Sequence, residues 1–503
     1  MNVEVLGAEK PTKIIVGSAM SCFSSKLVHP STVHNANLAL ELLESGHTTT
    51  LEHYNVTLLL SGVSRHLIWS LLHAHPYYNS EQVSQRHVPM DADNIFVPPS
   101  LDRHPEKRKF FVDHVEHCVK DYQQITEMLT PSMEALYFER HKNRKNDKRF
   151  KRVPNELAIE TARYVIPTAI CAHLYHTVNL LTLLRYRAIA AEPEIQEEAT
   201  FLIQSIWDEL LKTDPDLRKL VAAVPIGRSR LADLDEYNGA RANSFIETFD
   251  RVLMGTWRHS HLIDYAPHSD VVIELLGGTT IAGYDKSNHP DETIAELLLS
   301  PKRQEPGVLN IDPISKAGML GRQVIYQFAK RISLSGDSQN QRHRATPGAR
   351  PLLLNQLGSK STYEVPGPIA RIGGKVERRF KASVEESIRA ANEFAQWHTE
   401  DPNLALYLLP NAFHVRFNET ADLAAFRHKC HMRLCFNAQE EIWDVTREEV
   451  EQVQRIHPEI GKYLVSPCVT RYGGSIKPVC PEGKRFCGVQ VYRKEAKELV
   501  REF

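Results

Sequence analysis

Ser338-Gln339-Asn340-Gln341-Arg342-His343-Arg344 places two guanidinium groups and an imidazole on consecutive residues, just after the apolar run 325–334. Such a cluster leaves water only for anionic or aromatic partners: phosphates, a flavin or an acidic neighbour. A related polar stretch, Ser84-Gln85-Arg86-His87, lies in the first half. Both halves share one order: an apolar strand, an Arg/His cluster, helices, then an Ile/Leu-Pro break and an Arg-bearing helix. The order predicts a duplicated nucleotide-binding enzyme.

Composition sets the broad class. An apolar share of 42% and a charged share of 24% are those of a globular protein, and 503 residues allow two to four domains. The net formal charge is −1, so no global field favours nucleic acid or an anionic membrane, and any anion site must be local. No apolar stretch approaches the roughly 20 residues that cross a bilayer. The start, MNVEVLGAEKPTK, has no signal-peptide core, and the expected location is the cytosol. Eight cysteines make no disulfide framework, but Cys430, Cys435, Cys468, Cys480 and Cys487 crowd the end of the chain.

Local patterns predict the elements. Residues 3–5 and 13–17 read as short strands, 35–45 as a helix stopped by Gly46, and 54–60 as a strand. Residues 64–73 and 105–145 read as helices, the second ending in a basic run (His141-Lys142-Asn143-Arg144-Lys145) that reads as a solvated helix end. Residues 155–187 read as largely helical with a break at Pro167, and 195–212 as a helix. Charge mixed with Pro and Gly over 218–243 marks a boundary, giving domains 1–225 and 226–503. Beyond it, 271–275 reads as a β-rich run, 356–376 as a long loop, 383–398 and 422–433 as helices, and the tail after Pro467 as irregular.

Several constellations carry possible chemistry. Thr48-Thr49-Thr50 before Glu52 can cap a helix, which leaves His47 and His53 unexplained. His73, His75 and His87 lack a completing carboxylate or cysteine, so a metal is not the reading there. Glu81, Gln82, Ser84 and Arg86 offer acceptors, donors and a cation in one loop, which suits a nucleotide base and phosphate. Arg163 and Arg187 in apolar surroundings need anionic partners, either a ligand or an internal carboxylate such as Glu160 or Glu194. Arg342-His343-Arg344 is an anion site or a solvated basic loop. The tail cysteines either hold zinc or are buried free thiols; four thiolates suffice for zinc, but the spacing contains no CxxC. No GxGxxG, P-loop or GxSxG segment occurs, and no cysteine sits beside these clusters to act as nucleophile.

Gly46-His47, Leu51-Glu52-His53, Gly62-Val63-Ser64-Arg65 and Ser84-Gln85-Arg86-His87 together resemble the flavin-dependent thymidylate synthases, the ThyX family. That family reads roughly G-H-x-S-x-x-E-H, V-S-R, and R-H-R-x7-S-x-R-Y. Ala162 to Pro167 resembles its A-R-x-x-L-P, and Arg187 with Ala191, Glu194 and Ile195 resembles its L-R … A-Q-x-E-I. The second half resembles the family again. Gln339 to Arg344 supplies R-H-R, Leu404 to Pro410 stands at A-R-x-x-L-P, and Arg433 to Ile442 matches L-R … A-Q-x-E-I. The first copy has His73-Ala74-His75 in place of R-H-R. The second lacks the motif serine, with Leu352 at that spacing, and has Leu406 in place of the A-R-x-x-L-P arginine.

The resemblance implies an α+β fold of two tandem copies, each an antiparallel sheet packed with long helices. It implies reductive methylation of dUMP to dTMP with FAD, methylenetetrahydrofolate and NADPH, and no enzyme nucleophile. It implies dUMP binding by Gln82, Ser84, Arg86, Arg163 and Arg187, with Ser84 and Arg187 catalytic. It places FAD at Arg342, His343 and Arg344, with His47 and Glu52 on the flavin side. Each copy keeps the part of the site that the other has lost, and two chains are expected to form a pseudo-tetramer. The departures leave two other readings: a different flavin-dependent modification of a pyrimidine nucleotide, or a non-catalytic nucleotide- or flavin-binding paralogue.

Overall fold

In the computed structural model two four-stranded antiparallel sheets organise the chain. The first contains β1 (Asn2–Leu6), β2 (Asn55–Ser64), β3 (Asn79–Gln82) and β4 (Cys171–Asn179), in the order β1-β2-β4-β3. The second contains β5 (Ser260–Tyr265), β6 (Ile325–Ser333), β7 (Gly348–Ala349) and β8 (His414–Asp422), in the order β5-β6-β8-β7. Order and register repeat: Ser64 stands opposite Cys171 as Ser333 stands opposite His414. The structure describes all residues except 7–9, 27, 34–36, 228–236, 267–273, 275, 277–295, 297–298, 302–314, 495–498, 500 and 502–503.

The chain divides into two units. Unit 1 comprises Met1–Tyr122, Val165–Asn238 and Glu385–Pro410; unit 2 comprises Gln123–Tyr164, Gly239–Val384 and Asn411–Phe503. Each unit therefore holds one sheet and also a segment from the other half of the sequence.

In unit 1, alternation buries Val56, Leu58 and Leu60 of β2 on one face. The register slips between Leu60 and Val63, where Gly62 takes φ +69°, open to glycine at little cost. The helix Gln196–Thr213 buries Leu202, Ile203, Ile206, Trp207 and Leu210 in the same cluster. Each such side chain contributes about 1.5–3 kcal/mol. In unit 2, Tyr326 and Phe328 of β6 pack with Ala421, Phe426 and Val453. Beneath them lies a charged core: Lys330, Lys429, Glu419 and Glu449 are fully buried.

The α+β class stands, and so do most helices: Asn37–Glu44, Arg65–His73, Pro105–Arg140, Gln196–Thr213 and Leu423–Arg433. Residues 13–17 are not a strand but part of the helix Pro11–Ser21, where Pro11 sits in the first turn with its φ already suited to a helix. The expected long loop 356–376 contains the helix Gly367–Ile372 and the start of Gly374–Trp397. Strands β4 and β8 are the main corrections. β4 lies inside the stretch expected to be helical, and β8 was not foreseen. Buried His176, Arg416 and Glu419 occupy core positions and hide the apolar alternation that marks a strand. The run 271–275 lies outside the described residues apart from Glu274. No helix among the described residues is long and apolar enough to cross a membrane.

Candidate active site

Ser333 ends β6 and caps the helix Leu334–Asn340, its Oγ accepting from the Gly336 N–H at 2.8 Å. The same hydroxyl donates to Glu441 Oε2 at 2.6 Å, and the Ser333 N–H donates to Oε1 at 2.7 Å. The Tyr164 hydroxyl also donates to Oε2, at 2.6 Å. Gly336 makes room for this carboxylate, since a Cβ there would stand 2.8 Å from its Oε1. Burial and the charge of Glu364 push the Glu441 carboxyl up.

Arg163 adjoins this junction within unit 2. It is buried, and its Nη2 donates to Gln439 Oε1 at 2.7 Å. The Gln439 amide nitrogen reaches the Tyr164 hydroxyl and stands 3.5 Å from Ser335 Oγ. Arg163 is thereby tied, through Gln439, to the helix that leads into Arg342-His343-Arg344.

In that triplet Arg342 and Arg344 are exposed and His343 is buried. Arg433 holds it from behind: Nε donates to His343 Nε2 at 2.8 Å and Nη2 donates to the Gln339 carbonyl at 2.6 Å. Burial first, then the charges of Arg433 and Lys429, hold the imidazole well below its usual pKa. Because arginine only donates, Nε2 is the bare nitrogen, and the single ring proton sits on Nδ1. That Nδ1 is buried without a hydrogen-bond partner, and so are both amide atoms of Gln339. Buried polar atoms left unpaired are uncommon in folded proteins. Here they are one ring donor and both atoms of an amide.

Unit 1 repeats the junction. The Ser64 N–H donates to Glu198 Oε1 at 2.8 Å, and Ser64 Oγ and Tyr407 OH donate to Oε2 at 2.5 and 3.0 Å. The motif carboxylate expected at Glu194 is therefore Glu198. The turn Pro193–Ile195 delays the helix start, and Glu194 instead offers its carbonyl to His66 Nε2 at 2.8 Å. Arg187 and Arg433 do not correspond either. They lie seven and ten residues beyond the starts, Leu180 and Leu423, of equivalent helices. Arg187 is buried, donates through Nε to the Val224 carbonyl, and has its pKa lowered by burial.

The remaining expected site residues lie in unit 1. Gln82 Oε1 accepts from Arg65 Nη1 at 2.6 Å, and Ser84 Oγ accepts from the Arg86 N–H at 3.2 Å, which closes a tight turn. His47 and Glu52 are exposed beside the turn Thr48–His53. Where the second copy has Arg344, His75 contacts the Tyr186 hydroxyl at 3.0 Å; burial lowers its pKa to about 4. The structure thus brings Arg163 together with the Arg-His-Arg helix in unit 2, while Gln82, Ser84, Arg86, Arg187, His47 and Glu52 belong to unit 1. Of the tail cysteines, Cys430 is buried in the helix Leu423–Arg433 and the other four line one cavity. Sequence reasoning assigned no role to the Ser-Glu-Tyr junctions. Their signal was a serine at the strand-to-helix step in both halves, Val63-Ser64-Arg65 and Ile332-Ser333-Leu334.

Glu198 gives unit 1 a pH dependence. Burial raises its carboxyl from 4.5 to about 7, so the folded unit keeps a proton that the unfolded chain releases. The resulting stability is full below pH 4.5, falls as pH rises to about 7, and is gone above; the span is roughly 3 kcal/mol. Glu198→Gln should flatten this slope when melting temperature is followed against pH. Parallel curves for wild type and variant would refute the assignment.

A repeated antiparallel sheet with a buried Ser-Glu-Tyr junction at its strand end defines a tandemly duplicated α+β protein. The chain belongs to the thymidylate synthase complementing protein family, whose model matches residues 4–216 and again 262–459. It is similar to the flavin-dependent thymidylate synthase of Clostridium tetani, 29% identical over 214 residues, covering 42% of this chain and 81% of that protein. The enzyme of the same name from Mycobacterium marinum is 28% identical over 211 residues, 41% of this chain and 73% of the relative. That of Corynebacterium glutamicum is 25% identical over 224 residues, 44% and 80%. The chain is thus an enzyme of this flavin-dependent family, carried as two copies.

Proposed function

We propose that the chain catalyses FAD-dependent reductive methylation of dUMP to dTMP, with its flavin site on unit 2. One observation carries this reading. Arg163, from the first copy, and Arg342-His343-Arg344, from the second, share one unit with the unpaired polar atoms of His343 and Gln339. These residues fit a flavin: Nδ1–H of His343 can donate to a ring acceptor, the Gln339 amide can pair with a ring edge, and exposed Arg342 and Arg344 can meet its phosphates. Bound FAD would supply the hydride, with methylenetetrahydrofolate as carbon donor and NADPH as reductant.

The chain's own residues would bind and polarise. Gln82, Ser84, Arg86, Arg163 and Arg187 are assigned to dUMP, with Ser84 and Arg86 at the phosphate. A guanidinium beside the base stabilises charge that develops on it. Arg187 and Ser84 take the catalytic assignments, and His47 and Glu52 the flavin side. A cysteine nucleophile is not needed, and burial pushes the Cys118 and Cys171 thiols up to about 12, which leaves them protonated. Two chains would form the pseudo-tetramer. The replacement of the triplet in the first copy by His73-Ala74-His75 favours a second reading, a different flavin-dependent modification of a pyrimidine nucleotide.

The test is an FAD titration of wild type and an Arg342→Ala/Arg344→Ala variant, read by flavin fluorescence. Loss of charge-assisted hydrogen bonds should weaken FAD binding by about 10- to 100-fold or more. Equal affinity in both proteins, or no binding by wild type, would rule out this flavin site.

A further inference from the structure

We propose that Cys435, Cys468, Cys480 and Cys487 form a structural site for one thiophilic divalent cation, with zinc as the fitting ion. The four cysteines, 52 positions apart at their extremes (435 to 487), line a single cavity of about 20 Å³, room for one water-sized occupant. Cys430 does not line it. All eight cysteines of the chain are free thiols. Four thiolates about 2.3 Å from a tetrahedral ion are a complete zinc set.

The electrostatics connect the four. After burial, which pushes the Cys435, Cys480 and Cys487 thiols up, Cys468 is among the groups that raise each of them. Among the described residues no group of three or more His, Cys, Asp or Glu side chains is set to hold a metal as it stands. An ion that displaces the thiol protons would draw the four sulfurs together around it.

The surrounding segment also has a small apolar core. Among its described residues the short helix Pro467–Gly473 is followed by the single turns Gly483–Arg485 and Val491–Arg493, and the buried members of the apolar cluster there are Phe436, Trp443 and Val491. So small a core is commonly supplemented by a metal or by disulfides.

The experiment is metal analysis of the full chain purified under reducing conditions without chelator, followed by cobalt substitution. One zinc per chain is expected, and the cobalt form should show thiolate-to-metal charge transfer and tetrahedral d–d bands. Cys468→Ser and Cys480→Ser should lose the metal, and Cys22→Ser, at an exposed position, should keep it. Should the serine variants misfold, wild type decides alone: stripping the metal should open the segment 466–490 to protease. Metal-free protein with all eight thiols titratable, or disulfides among the four by mass spectrometry, would overturn the site.

Discussion

Lys429→Met should destabilise unit 2 by about 3–5 kcal/mol, the cost of leaving a buried charge uncompensated. Four charges meet where all four side chains are fully buried. Lys330 Nζ lies 2.6 Å from Glu419 Oε1 and 2.7 Å from Glu449 Oε1. Lys429 Nζ lies 2.6 Å from Glu419 Oε1 and 2.9 Å from Glu449 Oε2. Burial alone would push the Glu419 carboxyl up, but the two ammonium groups override it and hold it at about 2. Methionine matches the stem of Lys429 but leaves two carboxylates facing one cation. The loss should appear as faster hydrogen exchange in β6 and β8, the strands that carry Lys330 and Glu419. A second change, Glu449→Gln, should restore part of the stability, because it rebalances the charge. Unchanged exchange in those strands would refute the account. Lys429 also helps to keep His343 neutral, so the variant should shift the imidazole's titration upward.

Arg163→Ala should weaken dUMP binding by about 10- to 100-fold, the value of a hydrogen bond to a charged group at about 1.5–3 kcal/mol. The argument rests on its placement. Arg163 is buried, oriented by Gln439, and joined through Ser335 to the helix that carries the Arg-His-Arg triplet. Arg163→Lys should recover only part of the affinity, because an ammonium lacks the planar fork. FAD affinity should hold in both variants. If dUMP and FAD affinities fall together with melting temperature, Arg163 is a packing residue and the assignment fails.

Much of this was legible in the sequence. The duplication showed in the repeated order of motifs, and 54–60, 64–73 and 422–433 carried periodicities that the folded elements keep. β4 and β8 were hidden because charged and imidazole side chains take core positions in them, where Arg416 and Glu419 are satisfied by partners far along the chain. The same distance hid the junctions. Ser333 and Glu441 are 108 positions apart, and Tyr164 and Glu441 are 277 apart. No local pattern reports such pairings. Nor could spacing reveal which carboxylate follows Arg187, since the turn at Pro193 shifts the helix start and puts Glu198 where Glu194 was expected.

The most direct test of the central claim is anaerobic reduction of the FAD-loaded protein by NADPH, followed by flavin absorbance with and without dUMP. Bleaching that dUMP accelerates in wild type, and no longer accelerates in Arg163→Ala, is the predicted result. Protein that takes up no FAD, or bleaching indifferent to dUMP, would contradict the claim.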